Sequence, residues 1–194
     1  MKIAILARSN KRQHNNDYGC CVAGITEQGK WIRLVADERG DSLPDSVRTP
    51  NVCTVIEANI IYAPLKYQIE NAVLINWAEV RNEKIGDFVN KLFQPDERYL
   101  FGTQSNRLGP TEMNKSNGSL RLIQVNELEI YKSNSNSWKT KFKYAGSYYE
   151  GISMTDPKHY STGEIGTAII VVSLPNDDGG YSGYYKFVAA IYPK

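Results

Sequence analysis

The chain has 194 residues, is 41% hydrophobic and 23% charged, and sets 23 Lys and Arg against 21 Asp and Glu for a net charge of +2. That suffices for one large soluble domain or two small ones, and it falls short of the strong positive charge of a dedicated polyanion binder. The longest apolar run, around Thr167–Leu174, is strand-sized, and the opening run Ile3–Ala7 is too short for a signal-peptide core, so neither a membrane span nor export is expected.

Lys2–Ala7 is predicted to be a buried first strand, followed by a polar loop over Arg8–Asp17. Because Asp17 is the first acidic residue, Lys2, Arg8, Lys11 and Arg12 form a weakly basic opening segment. Residues 19–36 hold two apolar, β-branched runs flanking Thr-Glu-Gln-Gly, the signature of a hairpin. On its second run Trp31, Arg33 and Val35 share one face and Ile32, Leu34 and Ala36 the other. The latter face reads as core. The former suits a planar or anionic ligand, or is an ordinary half-exposed surface with a solvated arginine.

Cys20 and Cys21 are adjacent in this strand and point to opposite faces, and Cys53 makes the count odd. All three read as small buried residues in a reducing cytoplasm, with no redox motif or metal clip.

Asp37–Asn51 reads as a loop, Val52–Ile61 as a strand, and Tyr67–Val80 is ambiguous. Ile85, Phe88, Val89 and Leu92 fall at i, i+3, i+4, i+7 and predict a helix over 86–93, ending before Pro95. Tyr99–Phe101 looks strand-like and Pro110–Gly118 looks like a loop. Short strands are then expected at Leu120–Val125, Leu128–Lys132, Trp138–Tyr144, Tyr148–Met154, Thr167–Leu174 and Tyr184–Ile191, with turn chemistry over Pro175–Gly183. The fold class is mainly β with a minor helix. Two tandem small barrels or sandwiches, 1–97 (carrying the helix) and 98–194, fit this order; a single mixed barrel with an inserted helix is the alternative.

Enzyme signatures are sparse. There are two histidines, His14 and His159, no metal-ligand spacing, no glycine-rich phosphate loop and no nucleophile elbow, so no cofactor and no catalytic residue are expected. Binding chemistry is better represented. In Trp138–Tyr144 the lysines Lys139, Lys141 and Lys143 point one way and the aromatics the other. Such a stripe tracks a phosphate backbone, or it is a solvated face that blunts a strand against aggregation. Nine of the thirteen tyrosines lie at or beyond Tyr131, and the pairs Tyr148-Tyr149 and Tyr184-Tyr185 should each put one ring outward, as stacking platforms do. Arg8-Ser9-Asn10-Lys11 and Ser105-Asn106-Arg107 combine guanidinium, hydroxyl and amide groups after apolar runs, which suits phosphate and base contacts or local turns alike.

Several segments, in order, resemble the dual OB-containing domain family of prokaryotes: Leu-Ala-Arg-Ser-Asn-Lys (6–11), Cys-Val-Ala-Gly-Ile (21–25), Gly-Lys-Trp-Ile-Arg-Leu-Val (29–35), Tyr-Leu-Phe-Gly (99–102) with Ser-Asn-Arg (105–107), Thr-Asp-Pro (155–157) and Tyr-Tyr-Lys-Phe-Val-Ala-Ala-Ile (184–191). The resemblance runs from end to end. It implies two OB-like barrels in tandem and a nucleic-acid-associated module, with Arg8, Ser9, Lys11, Trp31, Arg33, Ser105, Arg107 and Asp156 at the matching polar positions. The leading expectation is therefore a non-catalytic module for DNA or RNA in a prokaryotic processing or conflict system. The alternatives are an adaptor docking a helicase or nuclease, and an enzyme on a nucleotide or modified base in which Asp156, His159 and Arg33 converge.

Overall fold

A computed structural model describes residues 1–9, 12–14, 17–44, 46–80, 83–91, 97–176 and 183–194, with backbone alone at 12–14 and 17–18. The chain divides into two compact units, Met1–Phe93 and Gln94–Lys194.

The first unit is built on β1 (Lys2–Arg8), β2 (Val22–Thr26), β3 (Trp31–Val35), β4 (Val55–Tyr62) and β5 (Asn71–Glu79). They close into a barrel in the order β1-β2-β3-β5-β4. The β3–β5 pair is parallel and the other ladders are antiparallel. Alternation explains the interior: Ile3 and Ile5, Ile32 and Leu34, Ile56 and Ala58 all project into one core with Val22, Leu43 and Ala72. The predicted hairpin is present with a four-residue loop, but Gly19 and Cys20 lie outside it. They belong to Asp17–Cys20, which pairs with Arg12–His14 and Leu43–Pro44 in a small separate sheet. The ambiguous stretch is strand β5. After it comes α1 (Gly86–Val89), whose buried Phe88 follows the predicted periodicity; Leu92 and Phe93 lie outside the described residues.

The second unit repeats the plan with β6 (Leu120–Lys132), β7 (Trp138–Tyr144), β8 (Ser147–Met154), β9 (Gly163–Ser173) and β10 (Phe187–Pro193). Its closed order is β6-β7-β8-β10-β9, again with the third and fifth strands parallel. Two barrels with one connectivity, closed by a parallel third-to-fifth pairing, form the five-stranded Greek-key architecture that the resemblance implied.

Several local expectations give way. The strand expected at Tyr184–Ile191 is two, Tyr184–Tyr185 and Phe187–Pro193, interrupted at Lys186, and the loop expected at Arg8–Asp17 contains the strand Arg12–His14. Residues 120–132 form one strand, because a bulge with Glu127 at φ +52° bends β6 so that it pairs with both β7 and β9. Leu100–Gly102 is a 3-10 turn, since side chains satisfy its backbone: the Tyr149 hydroxyl accepts from the Leu100 N–H and a Glu97 carboxylate oxygen from the Phe101 N–H, both at 2.9 Å. Within the expected loop 110–118, Pro110 starts the short helix α2 (Pro110–Lys115), which buried Met113 anchors. Finally, Cys20 is buried as expected, but Cys21 is half-buried and Cys53 is exposed at a turn with φ +67°; all three are free thiols.

Candidate nucleic-acid interface

In a barrel of this architecture the second and third strands and the loops beside them supply the oligonucleotide surface. The two units treat that surface differently. In the first, every residue of β2 and four of the five in β3 are buried. Arg33 is 5% exposed, and its guanidinium lies 3.7 Å from the buried carboxylate of Glu70, while its N–H donates to the Glu70 carbonyl at 2.9 Å. Val35 is buried and Trp31 half-buried. The face expected to be open is thus buried at Arg33 and Val35, and Arg33 meets Glu70 just ahead of β5 inside the fold. Alternation tells which residues share a face but is silent on what lies over it.

The other first-unit candidates stand at the end of β1. Arg8 is half-buried there. Ser9 extends the ladder to Cys21: its N–H donates to the Cys21 carbonyl, and its Oγ accepts from the Cys21 N–H, both at 2.9 Å. Lys11 lies outside the described residues.

In the second unit the corresponding face is open. Lys139, Lys141 and Lys143 on β7 stand beside Tyr148 and Glu150 on β8, and Thr140 and Phe142 turn inward and are fully buried. The stripe is real but not bare. Lys141 pairs with Glu129 and Lys143 with Glu127, both at 2.6 Å, and Lys139 donates to the Ser153 hydroxyl at 2.8 Å. Glu129 holds the Lys141 amine above its ordinary range, through a hydrogen bond and charge attraction. Beside the stripe runs a groove of about 520 Å³ whose lining includes Lys141, Tyr148, Asn126 and Thr167 together with Glu127, Glu129 and Glu164. Tyr148 and Tyr149 divide as expected, one exposed and one buried; Tyr184 and Tyr185 are both half-buried, because they pair with Leu108 and Arg107 in a short ladder.

Ser105 and Arg107 are exposed on the segment after the 3-10 turn. The residues that hold this segment carry no motif in the sequence. Lys186 is fully buried, donating from Nζ to the Thr103 carbonyl at 2.6 Å and the Ser105 carbonyl at 2.7 Å, with the Tyr149 ring 5.0 Å away. Burial pulls its amine down to about 7. Arg121 is buried too, bound to Glu97. The available signal was a single cation, Lys186, lodged between a tyrosine pair and an apolar run.

Asp156 and His159 do meet, with Asp156 Oδ2 2.9 Å from His159 Nδ1. The same carboxylate accepts from the Ile191 N–H at 2.9 Å, and its other oxygen caps the 3-10 turn at Lys158, so Asp156 ties the β8–β9 connection to β10. Arg33 belongs to the first unit, buried against Glu70. Replacing Asp156 with alanine should cost about 2 kcal/mol, because a buried N–H loses its charged acceptor; asparagine, which keeps one oxygen, should cost roughly half that in urea denaturation. Among the described residues no His, Cys, Asp or Glu group is arranged to hold a metal, and no helix is long and apolar enough to cross a membrane.

Two repeated five-stranded Greek-key barrels define an OB-fold protein of the tandem kind. The model of the dual OB-containing domain family matches residues 1–191, so this chain belongs to that family. No curated protein matches it. A solved structure described as "Structural mimicry for functional antagonism" aligns with all of this chain and 91% of its own at 14% identity, with a TM-score of 0.35.

Proposed function

We propose that the protein is a non-catalytic nucleic-acid-binding module of a prokaryotic nucleic-acid-processing or conflict system, and that single strands lie across the outer face of β7 and β8. The observation that carries this reading is the asymmetry between the two barrels. The surface that is packed over in the first is left open in the second, where it holds three lysines and an exposed tyrosine. Lysines neutralise phosphates while a ring stacks on a base of any sequence. The neighbouring glutamates moderate the attraction, because Lys141 and Lys143 each exchange a carboxylate for a phosphate on binding, whereas Lys139 gives up only the Ser153 hydroxyl.

Fluorescence anisotropy with short single-stranded and duplex DNA and RNA, at several salt concentrations, tests the reading. Three phosphate contacts give a log–log salt slope of at most about −2 for a single strand, and Lys141→Ala with Lys143→Ala should bring it to about −0.7. Tyr148→Ala should weaken binding roughly tenfold with the slope unchanged. Binding indifferent to salt and to all three substitutions would overturn the assignment.

A second reading, an adaptor docking a helicase or nuclease, has its own support. Ile61, Tyr62, Ile69 and Ile75 of the first unit are each more than half exposed, and apolar side chains such as these are what a docking partner covers. Absence of binding to every oligonucleotide would favour it.

A further inference from the structure

Among the described residues, β8 and β10 pair at Ser153–Phe187 and Met154–Val188. Ahead of those residues the seam between the two is filled by the chain after the 3-10 turn. On one side, the Gln104 and Asn106 side-chain amides donate to the backbone carbonyls of Tyr148 and Glu150. On the other, the Asn106 carbonyl accepts from the Lys186 N–H at 2.9 Å, and Arg107–Leu108 pairs with Tyr184–Tyr185. The Lys186 amine then reaches under the segment to two more of its carbonyls. Leu100, Phe101 and Leu108 anchor the ends in the core, whereas Gly102, Gln104, Ser105 and Arg107 are exposed. The middle can therefore lift without uncovering the anchors, and Gly102, at φ +76°, is a ready hinge.

We propose that residues 102–107 are a strap over the β8–β10 seam, pinned by Lys186, and that the strap opens more readily when this amine carries a proton and is held most firmly when the amine is neutral. A neutral amine has two N–H groups, one for each of the Thr103 and Ser105 carbonyls, and no buried charge to sustain. The charged groups around the pin do not reverse the balance. Glu97 favours the protonated amine, but Arg121 already neutralises Glu97. Tyr149 stays un-ionised across the neutral range, because burial raises its hydroxyl. Arg107 and Tyr185 sit opposite each other in the adjoining ladder.

The direction follows from proton linkage. Seated, the amine titrates near 7; lifted into water, it regains its ordinary value of 10.5. Between these values seating releases a proton, so the opening equilibrium falls tenfold per pH unit; below about 7 both states are protonated and it is flat. Any effect on ligand binding rests on the proposed function, since the strap holds the backbone of Tyr148.

Amide hydrogen exchange on the full chain, without nucleic acid, reads the strap by itself. Corrected for intrinsic chemistry, protection of the Lys186 amide and the 99–108 segment should be flat from pH 6 to 7 and rise about tenfold per unit up to pH 9. Lys186→Met should abolish the rise. Protection that is flat throughout, or a rise that survives in Lys186→Met, overturns the proposal. Should that variant fail to fold, acetic anhydride labelling of the wild-type chain decides. A Lys186 that gains reactivity with pH in step with the surface lysines rejects the pinned strap, while one whose labelling is limited by an opening that becomes rarer above pH 7 supports it. Neither outcome depends on an oligonucleotide, so failure here is separable from failure of the binding assay.

Discussion

Gly24→Ala is expected to lower the stability of the first barrel by about 3 kcal/mol or more, the upper end of what overpacking costs. Gly24 sits in β2 opposite Ile5 on one side and Ile32 on the other. A Cβ there would lie 2.3 Å from the Ala4 carbonyl oxygen and 2.9 Å from an Ile3 methyl. The oxygen belongs to a strand backbone that cannot turn aside: β1 is laddered to β2 through Ala4–Ile25 and to β4 through Ala4–Val55, so moving it opens the barrel on both sides. The contrast is Gly86→Ala at the start of α1, where a Cβ would meet nothing within 4 Å. That variant should be neutral or stabilising by up to about 1 kcal/mol, because alanine loses less chain freedom than glycine on entering a helix. Urea titrations of the two variants separate steric from conformational effects; equal midpoints would refute the close-packing argument.

This glycine also marks how far a sequence can be read. Alternation in 31–36 and 138–144 identified which side chains enter the barrels, and Ile32, Leu34 and Phe142 are where it put them. The β-rich order by itself supports paired barrels. What local pattern could not supply was the third dimension. Arg33 and Lys141 occupy comparable places on the third strand of one barrel and the second strand of the other, yet one is sealed against Glu70 and the other stands on an open face. The difference lies in what meets each side chain: Arg33 faces the buried carboxylate of Glu70, far along the chain, and Lys141 the half-buried Glu129. Leu100 and Phe101 misled for a related reason: adjacent buried residues suit a turn whose N–H groups are met by Glu97 and Tyr149, groups that no window around position 100 brings together. A lone lysine in an apolar run such as Lys186 reads as an exposed interruption, because the carbonyls of Thr103 and Ser105 that hold its amine lie far away in the sequence.

The Glu97–Arg121 pair should be as consequential as Gly24. Glu97 Oε1 accepts from Arg121 Nε at 3.1 Å and Nη2 at 2.7 Å, and its other oxygen accepts from the Phe101 N–H. Arg121 Nη1 donates to the carbonyls of Asn117 and Leu120, and its guanidinium lies 4.6 Å from the Phe101 ring centre. Glu97→Ala therefore strands a buried guanidinium and releases the 3-10 turn, at a cost of about 3–5 kcal/mol. Glu97→Leu combined with Arg121→Met should cost clearly less, because no unpaired charge remains; equal losses in the single and double variants would refute the charge argument. Glu97→Gln carries the argument to the strap. It keeps hydrogen-bonding groups in place but removes the one charge that favours protonated Lys186. The pH at which strap protection begins to rise should then move below 7, whereas a purely steric role for Glu97 predicts no movement.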